Sequence, residues 1–164
     1  MNRLSLALFA VFALSLSVFA ADQAKAHKMA AHKSPGSGPD VAYLQKIWDG
    51  WSTMKTANVA GFYNQTPDHT FFDIAPVKYN NWQEYEVGVQ SYFKDLKSLK
   101  LTVNDDAKIH TVDNTAWCSA TLKEESTTNA GKYAMATFRW TAIFEKDAAG
   151  KWLIVHEHVS APEQ

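Results

Sequence analysis

The chain has 164 residues, of which 46% are hydrophobic and 20% are charged, a balance typical of one folded domain rather than a disordered chain. Its 16 basic and 17 acidic residues nearly cancel, which excludes the strongly basic surface of a typical nucleic-acid-binding protein. Cys118 is the single cysteine, which excludes an intramolecular disulfide and a four-cysteine zinc site, and we expect its side chain to be buried.

The beginning of the chain has the pattern of an export signal. Arg3 provides a positive start, an apolar run extends to Phe19, and small or β-branched residues occupy the positions that a signal peptidase reads. Because this run is shorter than the ~20 residues that span a bilayer, we predict a cleaved signal peptide over 1–20, no membrane span in the mature chain and a periplasmic or secreted location. Residues 21–39 are predicted to form a flexible linker ahead of one domain over 40–162.

Helical periodicity marks the first part of this domain. Val41, Leu44 and Trp48 fall on one helical face, and the carboxylate of Asp40 can accept a hydrogen bond from a free amide of the first turn. An apolar stripe with the same period begins at Trp82. The predicted elements are a first helix that starts after Asp40, a short helix over 58–64, a short strand over 70–73 and a third helix over 82–96.

After residue 98 the apolar period changes to two, which predicts strands. Asp113-Asn114 and the segment 148–150 are turn signals between successive strands. The predicted strands cover residues 99–103, 109–112, 116–123, 133–146 and 152–160. Helices followed by a meander of antiparallel strands predict the α+β fold class.

Two histidines stand close together in the last predicted strand. Strict alternation places His156, His158 and Ser160 on one face of that strand and Glu157 on the other. The two imidazoles could provide two ligands of a metal site, form a polar pocket wall, or be a structural pair satisfied by backbone and water. These three interpretations stay open on spacing alone.

Cationic side chains lie on the neighbouring strands. Arg139 and Lys123 share their strand faces with Thr, Ser and Trp side chains, Trp117 among them, whereas the opposite faces are nearly all apolar. A buried, unpaired guanidinium is strongly unfavourable. Arg139 therefore needs either an acidic side chain or an anionic ligand as its partner.

Three segments carry a family resemblance. Residues 139–141, the closing run 150–162 and Phe71-Phe72-Asp73, together with Gly88 in the third predicted helix, resemble the nuclear transport factor 2-like superfamily in its SnoaL-like and ketosteroid-isomerase-like branch. The resemblance covers residues 41–162. The closing hairpin is also similar to that of the calcium/calmodulin-dependent kinase II association domain.

The resemblance implies a cone-shaped fold, in which a strongly curved antiparallel sheet packs against three N-terminal helices and leaves a pocket. Members of these families are mostly metal-free, so the resemblance favours a pocket wall or a structural pair for His156 and His158, and it implies no metal and no cofactor. Many members pair through the outer face of the sheet. Because both faces of the predicted strands carry large apolar groups, we expect a homodimer.

The resemblance also assigns candidate residues. Asp73 stands at a position that resembles the general base of ketosteroid isomerases, with His156 or His158 as further acid/base or orienting groups. The alternative is that Asp73 only caps the turn that follows it. The kinase association domain has cationic pocket residues at positions that resemble Arg139 and Lys123. The Tyr and protonated Asp that donate hydrogen bonds in the isomerases have no equivalents in the matching strands. By their own chemistry, the aromatic residues Tyr63, Trp82, Tyr85 and Trp117 could line an apolar pocket with polar tips or belong to ordinary core packing. Together with Arg139, Lys123 and Ser160 they are the expected ligand-binding residues.

Two functions therefore remain open. The chain is an exported pocket protein that binds a small anionic or carbonyl-containing molecule, with proton-transfer chemistry of the isomerase or lyase type, or it is a non-catalytic binding or oligomer-assembly module of the same fold. An enzyme needs a carboxylate or imidazole that faces a partly apolar cavity. We accordingly expect Arg139, His156 and His158 on the concave side of the sheet, within reach of Asp73.

Overall fold

The computed structural model describes residues 38–162. The predicted signal peptide over 1–20 and most of the predicted linker over 21–39 lie outside the described residues. Between residues 38 and 162, neither α-helix has the length and apolar character needed to cross a membrane.

Two α-helices and two short 3₁₀ helices make up the helical layer of the described residues. They are α1 (Val41–Ser52), the 3₁₀ helices Thr56–Asn58 and Ala60–Phe62, and α2 (Trp82–Phe93). Asp40 caps α1 as predicted, since its carboxylate accepts a hydrogen bond from the Tyr43 amide at 2.9 Å, and Asn81 caps α2 in the same way. The 3₁₀ helices lie where one short helix was predicted, and α2 ends earlier than predicted because Leu96 already begins a strand.

Six strands within the described residues form one open sheet. They are β1 (Phe71–Phe72), β2 (Leu96–Val103), β3 (Lys108–Val112), β4 (Thr115–Thr128), β5 (Tyr133–Lys146) and β6 (Trp152–Ser160). The strand order is β1-β6-β5-β4-β2, and β3 also pairs with β4. All pairs are antiparallel except β1 and β6, which run parallel. The paired strands β4 and β5, each of 14 residues, form the centre of the sheet.

The two faces of β4 and β5 differ in polarity. The face toward the helices, called the inner face here, carries the buried side chains of Ala116, Cys118, Ala120, Leu122, Trp140, Ala142 and Phe144. Trp48 of α1 packs edge-on against Trp140, with ring centroids 5.1 Å apart. The helices cover this face because removing apolar area from water stabilises the fold by roughly 25 cal/mol per Å². The predicted α+β fold, with its sheet packed against N-terminal helices, is confirmed, and so is the burial of Cys118.

A β-bulge interrupts the alternation of β6. Phe144 of β5 lies opposite Ile154, whereas its neighbour Ile143 lies opposite His156, so Val155 is one extra residue on β6. Ile154 on one side of the bulge and Glu157 on the other are therefore both buried on the inner face. The prediction that Glu157 and the buried start of β6 lie on opposite faces was wrong, because it assumed strict alternation through residue 155.

Candidate functional site

A cavity of about 400 Å³ lies between the helices and the inner face of the sheet. Its wall is formed by α1, α2, the segment after β1 and strands β2, β4, β5 and β6. Most of the lining is apolar or aromatic, including Trp48, Trp51, Tyr85, Phe93, Leu122 and Val159. Such a concave, largely apolar surface with a few polar groups is typical of small-molecule sites.

Asp73 places a carboxylate in this cavity. It directly follows β1, and its Oδ1 accepts a hydrogen bond from the Ile74 amide at 2.7 Å. Burial raises the pKa of the Asp73 carboxyl because the charged form loses hydration, and the nearby Glu124 carboxylate raises it further, whereas the Ile74 amide lowers it. Burial is the largest of these effects. Asp73 is therefore a stronger base than an aspartate in water.

The second carboxylate of the lining is Glu124, which accepts a hydrogen bond from the Tyr92 hydroxyl at 3.2 Å. Tyr79 also contributes to the lining, and its backbone exchanges two hydrogen bonds with Phe71 at 3.0 and 2.8 Å. A Cβ on Gly88 would come within 2.4 Å of the Tyr79 ring. The glycine in α2 thus allows the Tyr79 ring to lie against the helix beside the cavity.

Behind the cavity wall lies a buried carboxyl group, that of Glu157. Its Oε1 accepts a hydrogen bond from the Tyr63 hydroxyl at 2.9 Å, and its Oε2 accepts one from the Trp140 indole at 2.9 Å. The Trp51 indole donates to the Tyr63 hydroxyl at 2.9 Å, which extends the network toward α1. Glu157 has no exposed surface, and the described part of the chain shows no cation paired with it.

Burial raises the pKa of Glu157 to about 7, because hydrogen bonds from neutral donors only partly compensate the lost hydration of the anion. The hydroxyl pKa values of Tyr63 and Tyr85 are raised well above the usual value by burial and by the Glu157 carboxylate. Both tyrosines therefore remain protonated, and Tyr63 acts as a donor to the ionised carboxylate. The network has one site, Glu157, that gains or loses its proton near neutral pH.

The sequence over these same elements identifies the family. The family model of the SnoaL-like domain matches residues 42–164, most of the chain. The chain belongs to the SnoaL-like domain family. The resemblance proposed from the sequence is thus confirmed. No curated protein sequence matches the chain closely enough to count as a relative.

Solved structures share the fold of this SnoaL-like domain. A nuclear transport factor 2-like superfamily protein from Salmonella enterica has a TM-score of 0.69 at 16% identity, over 76% of this chain and 89% of that one. A Xanthomonas campestris protein named for the calcium/calmodulin-dependent protein kinase II association domain has a TM-score of 0.65 at 24% identity, over 79% and 92%. A ketosteroid isomerase-like protein from Erwinia carotovora atroseptica has a TM-score of 0.62 at 15% identity, over 75% and 93%. At these identities the likeness establishes the fold alone.

The two predicted site histidines of the SnoaL-like domain do not line the cavity. His158 is exposed, and Nδ1 of His156 lies 2.6 Å from the Thr70 carbonyl oxygen. The Phe72 ring lies edge-on to both imidazoles, at 5.2 and 5.7 Å between centroids. The expectation that the side chains of the two histidines face the cavity was wrong. The bulge at Val155 leaves both histidines on the outer face and places Glu157 on the inner face.

The predicted cationic residues also lie away from the cavity. Arg139 is exposed on the outer face, and its Nη2 donates to the Ala161 carbonyl at 2.7 Å. Lys123 forms an ion pair with Glu125 at 2.9 Å. The expectation that they line the concave side with Asp73 was wrong, since the helices cover the apolar faces of β4 and β5 and leave the mixed faces outside.

The aromatic and hydroxyl candidates divide between the two faces. Tyr85 lines the cavity, whereas Tyr63 and Trp82 are buried behind the lining, 4.6 Å apart between ring centroids. Trp117 stacks on His110 at 5.3 Å on the outer face, where Ser160 pairs with Arg139. The described residues contain no group of three or more His, Cys, Asp or Glu side chains arranged to hold a metal ion.

The residues that the sequence interpretation missed are Glu157, Trp140 and Glu124. For Glu157 a signal was available, since it is an acidic residue enclosed by Val155 and Val159 in a strand that is otherwise largely buried. Buried acids are rare unless they are hydrogen-bonded, so such a residue predicts a polar network. Its partners, Tyr63 and Trp140, could not be found in the sequence because they are far apart in the chain, one directly after the second 3₁₀ helix and the other in β5.

Proposed function

We propose that this SnoaL-like domain binds a small, uncharged and largely apolar molecule with a carbonyl group, and that Asp73 transfers a proton at the carbon beside that carbonyl. The observation that most supports this function is the partly buried Asp73 carboxylate, with its raised pKa, in the wall of an apolar cavity. A carboxylate that has lost hydration is well suited to proton abstraction. The cavity volume lies within the usual range of small-molecule sites, about 300–1,000 Å³.

The charge of the lining supports an uncharged ligand rather than an anionic one. Asp73 and Glu124 provide two carboxylates, and the described lining residues include no Lys, Arg or His. An anion would meet these carboxylates without a compensating cation. The anionic ligand expected from Arg139 and Lys123 therefore loses its support, while the carbonyl-containing ligand keeps it.

Asp73 and the ligand account for every proton and electron pair of the proposed step. The Asp73 carboxylate takes a proton from the carbon beside the carbonyl, the electrons of that C–H bond move toward the carbonyl oxygen, and the protonated Asp73 returns a proton to the resulting enolate. The developing negative charge on the oxygen needs a hydrogen-bond donor. Trp48 lines the cavity, and its buried indole N–H has no acceptor among the described residues, which supports a carbonyl oxygen as a ligand atom.

Hydrogen–deuterium exchange tests this step without knowledge of the natural substrate. We expect the wild-type protein to accelerate the exchange of the methyl protons of 2-acetylnaphthalene in D₂O, followed by proton NMR. The Asp73→Asn variant should lose roughly 100-fold or more of this acceleration, since general acid–base groups contribute about 10²–10⁴. Exchange at the buffer rate with the wild-type protein would contradict the proposed reaction.

Two valines of α2 provide matched controls. Val89 lines the cavity, whereas Val87 is 67% exposed and outside it. Val89→Trp should fill the cavity and abolish both binding and exchange, and Val87→Trp should retain both. Equal behaviour of the two variants would place the ligand elsewhere.

A second function, assembly of chains through the outer face, is supported by a different observation. Trp117 of β4 and Ile143 of β5 lie opposite each other and expose 42% and 36% of their surfaces on strands whose inner face is already covered. Contiguous exposed apolar groups on a sheet favour a two-fold contact between copies. A homodimer that buries part of this face is compatible with a functional cavity on the other.

Export remains part of this proposal. The apolar run after Arg3 supports a periplasmic or secreted location. N-terminal sequencing of the protein from its native host should give a mature chain that begins at Ala21 or Asp22. A retained Met1 in a soluble cytoplasmic fraction would contradict export.

A further inference from the structure

The lining of the cavity divides into an enclosed part and a rim. The enclosed part is formed by buried aromatic and aliphatic side chains of both α-helices and of the sheet, among them Trp51, Phe93, Leu101, Leu122 and Val159. The polar residues Asp73, Tyr92 and Glu124 lie at the rim, where the lining side chains are partly exposed. A bound molecule therefore places its apolar body in the enclosed part and a polar group at the rim, because that arrangement removes the most apolar area from water.

Glu124 can accept more hydrogen bonds than the described residues donate to it. Its Oε1 accepts one from the Tyr92 hydroxyl at 3.2 Å, and no other described side chain donates to it or forms an ion pair with it. An ionised carboxylate has about four lone-pair positions for donors. The next residue of β4, Glu125, lies on the outer face and forms an ion pair with Lys123 at 2.9 Å. Of these two adjacent glutamates, Glu124 is thus the one that can accept a donor group from a ligand.

A second polar group of the lining is a donor. The side chain of Trp48 is only 6% exposed, and its indole N–H has no acceptor among the described residues. A buried donor without an acceptor is unfavourable, so the cavity suits a ligand with an acceptor such as a carbonyl oxygen. Trp48 and Glu124 together fit a ligand that carries both an acceptor and a donor.

A neutral donor fits the rim better than a cationic one. A protonated amine beside the two carboxylates would favour the ionised form of Asp73 and lower its pKa, against the effect of burial and of Glu124. Asp73 would then be a weaker base. A ligand hydroxyl that donates to Glu124 adds no charge. Because Glu124 lies close enough to raise the pKa of Asp73, this hydroxyl belongs on the carbon that Asp73 deprotonates.

We propose that Glu124 is a specificity-determining residue that accepts a hydrogen bond from a hydroxyl group of the ligand, and that the ligands of the cavity are α-hydroxy ketones with an apolar body. The carbonyl oxygen accepts from the Trp48 indole, and the hydroxyl-bearing carbon faces Asp73. Asp73 takes the proton of that carbon and returns it to the enolate. This inference rests on the proposed function and narrows its carbonyl compound to one substrate class.

Two ketones of nearly equal size test the inference. One is 2-hydroxy-1-(naphthalen-2-yl)ethanone, and the other is 1-(naphthalen-2-yl)propan-1-one, which has a methyl group in place of the hydroxyl. Isothermal titration calorimetry measures both Kd values. The wild-type protein should bind the hydroxy ketone roughly tenfold more tightly, since a hydrogen bond to an ionised group is among the stronger ones in proteins. Equal or tighter binding of the methyl analogue, the more apolar of the two, would overturn the role of Glu124.

The adjacent glutamates of β4 provide matched variants. Glu124→Leu should remove the preference for the hydroxy ketone, a change of roughly tenfold in the Kd ratio, whereas Glu125→Leu should keep the wild-type ratio. Glu124→Gln keeps an acceptor oxygen without the charge, so it should retain part of the preference. A merely structural role of Glu124 would weaken both ketones equally and leave their Kd ratio unchanged.

The outcomes separate this inference from the function on which it rests. If both ketones bind, and Val89→Trp weakens both while Val87→Trp does not, the absence of a hydroxyl preference overturns the role of Glu124 alone. If neither ketone binds, the proposed function and this inference are both contradicted. The decisive ratio is measured on the wild-type protein and does not depend on the folding of any variant.

Discussion

The inner and outer faces of the sheet differ in how their polar side chains are stabilised. On the inner face, Glu157 is surrounded by aromatic rings, and Tyr63 and Trp140 donate hydrogen bonds to it. On the outer face, Arg139 and His158 are exposed to water. Water can solvate a charge on the outer face, whereas the inner face tolerates a charge only with fixed partners. An exposed arginine or histidine on the outer face is therefore weaker evidence of a functional site than a buried, hydrogen-bonded acidic residue on the inner face.

Two tryptophans, one on each face, should show the largest difference in the effect of a substitution on the free energy of unfolding. Trp140→Ala on the inner face should reduce the free energy of unfolding by about 3–5 kcal/mol, because it leaves a cavity and removes a hydrogen bond to Glu157. Trp117→Ala on the outer face should change it by less than about 1 kcal/mol. Urea denaturation followed by circular dichroism measures both. Similar losses at the two positions would show that the faces do not differ as described.

The pH dependence of stability sharpens the comparison further. Burial raises the pKa of Glu157 from 4.5 to about 7 in the folded chain, so between these values the folded state holds a proton that the unfolded state has lost. The contribution of protonated Glu157 to the free energy of unfolding is fully present below about pH 4.5. It is lost as pH rises to about 7, so the free energy of unfolding falls by roughly 3 kcal/mol. The difference between wild-type and Glu157→Gln unfolding free energies, measured from pH 4.5 to 8, should show this fall. A constant difference would mean that Glu157 stays ionised throughout.

The smallest effect on single-chain stability is expected on the outer face, where association is the sensitive measurement. Ile143→Glu should leave the unfolding free energy within about 0.5 kcal/mol and convert the proposed homodimer into monomer, because a charge would enter the apolar contact. Sedimentation equilibrium at micromolar concentration measures the mass. A wild-type protein with the mass of one chain, fully folded, would contradict the dimer.

Periodicity predicted the fold well because each element buries a regular stripe. The Asp40 cap, the start of α2 at Trp82 and the full extents of β5 and β6 all agree with the structure. Of the site, only Asp73 and Tyr85 were predicted and lie at the cavity. The rest could not be predicted, since the choice of which face the helices cover depends on packing over the whole domain. One bulged residue was enough to put the β6 histidines on the face opposite to Ile154 at the start of the strand, although the prediction placed them on the same face.

The extra residue at Val155 also has a consequence for sequence alignment. A bulge lets β6 keep Ile154 and Glu157 on one side although an even number of residues separates them. A related chain with a regular strand here would show the same inward side chains with one residue fewer. If that chain were aligned without a gap at 155, its core acid would be aligned with His156 of this chain. Roles copied position by position across that point would then be assigned to the wrong neighbour, and a one-residue gap at the bulge restores the correspondence.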